Sequence, residues 1–279
     1  MKKSIFYFTI AFLFVLGKFY AQDFQGIATY KSHTKVDVKL DSSQMGGDMH
    51  AKMLEMLKKQ FEKTYKLTFN QEESVYKEEE KLESPKPQGM VMVMVDTGGS
   101  DVLYKNTKEN RYTSQNESFS KIFLIQDELK KIDWVLGSET KNIGDYTCFK
   151  ATFKREVEVV ESGISIYNDK EFDENATVEE REIVAWYTPQ IPVSNGPGNY
   201  HGLPGLILEV NDGNQTLMCS KIVLNPEDKV KISEPTKGKK VSQEKYDEIM
   251  DKKMKEMHNQ YDSEHRGRDG ETIEIRIGG

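Results

Sequence analysis

"NGPGNYHGLPGLILEV", residues 195–210, is the stretch on which the reading of this chain turns. Four glycines and two prolines are followed at once by the apolar residues Leu206, Ile207, Leu208 and Val210. Glycine and proline set backbone corners, and a strand apolar on both faces is an interior one with both sides covered. Leu203-Pro204-Gly205-Leu206 has proline second and glycine third, which predicts a type II turn with positive φ at Gly205. A phosphate cradle would need a following helix that carries Lys and Ser/Thr, and none follows.

Outward from this corner the pattern is that of strands. Downstream, "LILEVNDGNQTLMCSKIVL" (206–224) predicts a hairpin turning at Asp212-Gly213. Upstream, "REIVAWYTPQIPV" ends a strand at Pro189, and "KKIDWVLGSETKNIGDYTCFKATFKREVEVV" holds two strands broken by Gly137 and Gly144. Earlier still come "GMVMVMVD", "DVLYKNTKENRYTSQ" and "SKIFLIQDE", short strands between polar turns, and "GIATYKSHTKVDVKL", a first strand. Two segments instead have helical period. "DMHAKMLEMLKKQFEKTY" puts Met49, Met53, Met56, Leu57 and Phe61 on one face, and "SQEKYDEIMDKKMKEMHNQY" does so with Tyr246, Ile249, Met250, Met254, Met257 and Tyr261. The expected fold is α+β, predominantly antiparallel β: one curved sheet with two amphipathic helices packed on its concave side.

The first 21 residues, with Lys2 and Lys3 ahead of an apolar run from Ile5 to Leu16, predict a secretory signal peptide cut after Ala21. That run falls short of the ~20 residues a membrane span needs. No cysteine directly follows it, so a lipoprotein is not expected, and no later stretch is long and apolar enough to span a membrane. A single β-rich domain is expected over 22–262, then a polar tail over 263–279 ending in a short strand. Without its leader the chain carries 36 basic against 46 acidic residues, finely mixed, which disfavours nucleic acid.

The blocks 133–155 and 185–210, with Trp134, Ile143, Gly144, Tyr146, Cys148, Lys150, Ala151, Trp186, Tyr187, Thr188, Ile191, Pro192, Gly196 and Pro197, lead into "GLPGLI" at Gly202, Leu203, Pro204, Gly205, Leu206 and Ile207. This arrangement resembles the GLPGLI family of exported Bacteroidetes proteins. The acidic insert over 156–180 is a departure from it. The resemblance implies an exported bacterial protein of unassigned activity and carries over no catalytic residue; the signal peptide makes the periplasm, secretion or association with the outer membrane the expected location.

Met49, Met53, Met56, Met90, Met92, Met94, Met250, Met254 and Met257 fill a core or line a pliable cavity for a lipid-like or other apolar ligand. Thioethers beside imidazole, at Met49, His50, Met53, Met257 and His258, would suit copper(I). Cys148 and Cys219, read as lying on one outer face, could form a disulfide if their strands are neighbours. Trp134, Trp186, Tyr187 and Tyr200 pack the corner or form a sugar-stacking platform. His201 would be the centre of an unrecognised hydrolase, or an imidazole bonded to nearby backbone. The leading expectation is a non-catalytic protein without cofactor that binds an apolar ligand or an outer-membrane protein partner. A periplasmic copper-binding protein and a hydrolase are the alternatives.

Overall fold

The computed structural model describes residues 24–39, 62–79, 102–159, 177–265 and 274–277. Strands β1 (Gly26–Thr34), β2 (Val36–Lys39), β3 (Thr64–Phe69), β4 (Glu73–Glu78), β5 (Val102–Asn106), β6 (Arg111–Ser118) and β7 (Lys121–Glu128) form the first half. The second half contains β8 (Val135–Ile143), β9 (Tyr146–Val159), β10 (Thr177–Thr188), β11 (Leu206–Asn211), β12 (Gln215–Leu224) and β13 (Lys239–Val241). Helix α1 (Gln243–His265) and β14 (Glu274–Ile277) follow. Twelve strands make one curved sheet in the order β13-β7-β6-β5-β4-β3-β1-β12-β11-β10-β9-β8, and β14 pairs with β2 apart from it. Every pairing is antiparallel except that of β13 with β7.

β1 joins the two halves. It is paired with β3 on one side and β12 on the other, so Gly26 meets Phe69 and Leu224. Its alternation places Ala28 and Tyr30 inward, both fully buried. They enter a core with Leu67, Phe69, Tyr76, Leu103, Cys148, Leu206, Leu208 and Cys219. A second cluster, with Ala151, Ile183, Ala185, Tyr187, Ile207 and Val210, covers the other face of β9–β11. Both faces are thus covered where the sequence is apolar on both. A bulge between Trp186 and Tyr187 in the β10–β11 ladder sends Leu208 and Glu209 to the same side.

The expected pair of helices is corrected. Among the described residues there is one helix, α1. It packs near an end of the sheet, through Tyr246, Ile249 and Met250 against Phe123 and Ile125. Tyr246 Oη lies 2.9 Å from Ser118 Oγ, and Gln243 N–H donates to Asp127 Oδ2 at 3.0 Å. Ile125 shares its face with Leu103, Tyr76, Leu67 and Ala28, so α1 extends the first cluster toward that end of the sheet, while the connection from β10 to β11 adds the buried Ile191 and Val193 to it. The other expected helix falls mainly on 48–61, outside the described residues, and its last residues, Thr64 and Tyr65, open β3. No described helix is long and apolar enough to cross a membrane.

The cysteines are also placed differently from the outer-face reading, since both are buried. A register shift between Thr29 and Tyr30 skips Ser220 in β12, so Cys219 turns inward while Met218 is left 45% exposed. The acidic insert begins and ends in paired strands, with Val159 opposite Thr177.

Candidate functional site

The signature corner is built by close approach. A Cβ on Gly205 would lie 2.2 Å from the Thr188 carbonyl oxygen, so no side chain fits there. Positive φ, expected at Gly205, is found instead at Gly202, with φ 91°. The turn is tighter than type II: Gly205 N–H donates to the Leu203 carbonyl at 2.8 Å across Pro204. The chain before it is tied to the start of β11, with Leu206 N–H on Ile191 O at 2.9 Å and Ile207 N–H on Asn195 O at 3.0 Å.

Beneath this loop sits a residue the sequence reading did not single out. Lys105, in β5, is fully buried, and its ammonium donates to the carbonyls of Gly196 at 2.9 Å, Gly198 at 2.6 Å and Tyr200 at 3.2 Å. Three N–H groups meet three carbonyls, so the donor capacity of the ammonium is filled. Burial pushes its pKa down to about 7. As an ammonium it has no lone pair to offer a substrate, and the arrangement clasps the loop to the far half of the sheet. The signal that would have found it is phase. Lys105 shares its face with Leu103, an inward position on an interior strand, where an unpaired lysine is rare.

The neighbouring polar groups are committed as well. His201 Nδ1 is 2.9 Å from the Asn199 carbonyl, and burial together with the Lys105 charge holds the imidazole below its usual pKa. The His201 carbonyl accepts from Trp134 Nε1 at 2.8 Å. Trp134 packs edge-on to Phe153, with centroids 4.7 Å apart, in the second cluster. Trp186 faces the first cluster on the opposite side, beneath Lys141 Nζ at 4.4 Å from its ring centroid. Lys141 also bonds Glu209 at 2.7 Å. The two tryptophans therefore form no common platform. Tyr30 Oη donates to the Ile207 carbonyl at 2.7 Å, tying β1 to the last residue of the signature.

The two cysteines share the first cluster, and the other predicted residues are dispersed. Cys148 on β9 and Cys219 on β12 are free thiols, with β10 and β11 between their strands, and burial pushes each to about 11. Met250 packs beside Phe123 and Ile125, whereas Met257 is 53% exposed. Met49, His50, Met53, Met56, Met90, Met92 and Met94 lie outside the described residues, as do the side chains of Met254 and His258. A shallow depression lined by Arg111, Thr113, Asp127 and Glu234 is occupied by its own bonds. There Glu234 accepts from Arg111 at 2.8 Å and Thr113 at 2.5 Å, which tethers the chain that leads to β13. Among the described residues no cluster of His, Cys, Asp and Glu converges as metal ligands would.

Residues 134–209, from Trp134 through the signature to Glu209, match a family model described as "Protein of unknown function (Porph_ging)". Lys105 lies outside that segment but holds it. No curated protein matches the chain. Two solved structures of PNGF-II, in the C2 and P21 space groups, are similar at 14% identity and a TM-score of 0.45. Each similarity covers 81% of this chain and 32% of the other, so the chain spans about a third of that protein's length.

Proposed function

We propose that this is an exported, non-catalytic envelope protein of the GLPGLI kind that binds a protein partner, an extended segment of which adds to the sheet at β8. The observation that carries the reading is the state of that strand. Among the described residues β8 is paired on one side only, by β9, and most of its nine residues are exposed. Val135 and Leu136, apolar side chains that a monomer would gain by burying, are 66% and 57% exposed. An irregularity across Gly137–Glu139 divides the ladder, with Val135 and Leu136 paired on one side of it and Thr140–Ile143 on the other, where alternation directs the backbone groups of Thr140 and Asn142 away from β9. A partner strand gains backbone bonds there and an apolar anchor at Val135 and Leu136.

The corner supports the same reading from its chemistry. Lys105, His201 and Trp134 direct their polar groups to backbone carbonyls, as a structural clasp does. The apolar-ligand and copper readings depend chiefly on methionines outside the described residues, so no observation favours either over the partner. The experiment is photo-crosslinking in the native envelope from a photoreactive residue at position 142, with position 66 on β3 as control. One discrete adduct from 142 is expected, absent from 66 and lost when Val135 and Leu136 become Ser. Equal labelling from both positions, or an adduct indifferent to those substitutions, removes the β8 reading.

A further inference from the structure

β6 and β7 are joined by only two residues, Phe119 and Ser120, and both have positive φ, 51° and 57°. Such a turn favours Asn-Gly, because a side chain larger than glycine's is disfavoured in the left-handed region. A phenyl ring there is held against its conformational preference. Burial does not account for it: Phe119 belongs to no core cluster and is 41% exposed. Ile122, just past the turn, is 39% exposed.

The second observation is charge. Gly238 packs against β7, where a Cβ would lie 3.0 Å from Ile122 Cγ2 and 2.9 Å from the Phe123 carbonyl carbon. This contact sets the stretch "TKGKK" (236–240) beside Ile122. Lys121, Lys237, Lys239 and Lys240 are all exposed, and none makes an ion pair among the described residues. The acidic group at hand is Glu117, opposite Ile122 in the ladder. On a chain of net charge −7, four lysines with no ion pair among the described residues make the surroundings of this aromatic tip locally basic.

We propose that the β6–β7 turn is a docking tip for an anionic lipid surface. Phe119 and Ile122 would enter the boundary between headgroups and acyl chains, while the lysines keep their stems along the apolar surface and their charges on the headgroups. A convex hairpin end with lysines on the adjoining strand fits a plane better than a protein groove. The tip lies near the edge of the sheet opposite β8, so the inference does not depend on the partner reading.

The test is vesicle co-sedimentation of residues 22–279, the form expected after export, since the apolar amino-terminal run beside Lys2 and Lys3 would itself bind vesicles. Vesicles of phosphatidylcholine alone are compared with vesicles in which about a third is phosphatidylglycerol. Wild type is expected to prefer the anionic vesicles, with binding that falls as salt is raised. Phe119→Asn with Ser120→Gly gives the turn its favoured residues, so its melting temperature is expected not to fall while anionic binding drops about tenfold or more. Changing Lys121, Lys237, Lys239 and Lys240 to Gln is expected to remove the anionic preference, by about fivefold per lysine. Phe119→Trp is expected to shift its emission to shorter wavelength on anionic vesicles. Undiminished binding by the Asn-Gly turn, an emission spectrum of the Phe119→Trp variant that does not shift, or capture by an acidic protein without vesicle binding would each overturn the proposal.

Discussion

Lys105 shows how one residue can hold two distant parts of a chain. Its ammonium joins β5 to a loop some ninety residues later, through three carbonyls. Lys105→Met keeps most of the volume and removes the donors, so the loss is local. Amide exchange over 196–202 is expected to quicken at least about tenfold, equivalent to ~1.4 kcal/mol, with β1 unaffected. Unchanged exchange would mean that the clasp is incidental. The same residue sets a pH dependence whose sign is unusual for a lysine. With a folded pKa of about 7 against the ordinary 10.5, the unfolded chain binds more protons between those values, so stability rises with pH. His201 is lowered from 6.5 and completes its change below that window. Cys148 and Cys219 are raised from 9.0 to about 11, and they oppose the trend only above about pH 9. Urea unfolding between pH 7 and 8.5 is therefore expected to show a slope of up to about 1.4 kcal/mol per pH unit, flattened in Lys105→Met.

Two glycines of the corner serve different ends, and their substitutions separate these. Gly205→Ala drives a methyl group into the Thr188 carbonyl and must part β10 from the start of β11. A loss of more than about 3 kcal/mol is expected. Gly202→Ala meets only the Trp134 ring at 3.7 Å, and its positive φ limits the loss to about 1–2 kcal/mol. Chemical denaturation checks the order, and a reversed order would show that conformation rather than contact decides the corner. Proline-glycine spacing made the corner and the interior strand after it legible, but it could not tell close approach from positive φ, which depends on what lies opposite. Strand bulges were hidden for a similar reason. The skip at Ser220 reverses the face of Cys219, and nothing local in "TLMCSKIVL" announces it. Lys105 was written in the inward phase of "VLYKN", yet its carbonyl partners lie in a loop that reaches it only after the sheet has closed. α1 was readable from its own period; where it packs was not, because its partners Phe123 and Ile125 on β7 lie far away in sequence, beyond the reach of a local pattern.

The molecule is stitched by contacts remote in sequence. β1 is locked to β12, nearly two hundred residues away, and the bonds of Tyr30 to Ile207, of Lys105 to Gly196, Gly198 and Tyr200, and of Arg111 to Glu234 cross between its halves. Such stitching implies one cooperative unit, slow to form because its pairings are non-local. The two thiols test this. Cys148 lies toward the β8 edge, while Cys219 lies on β12 beside β1, and both are buried in a cluster that also holds Leu67, Tyr76 and Leu103 from the other half. A thiol reagent reaches a buried, protonated cysteine only when its surroundings open. If the halves open together, labelling of both cysteines in rising urea, followed by mass spectrometry, should give opening free energies that agree within about 0.5 kcal/mol and equal the global value. Labelling of Cys148 well before Cys219 would mean that β8 and β9 peel away as a separate unit, and the edge proposed to receive a partner strand would then be the least stable part of the sheet. Equal protection would instead place that edge on a rigid body, able to accept a strand without the entropic cost of first ordering itself.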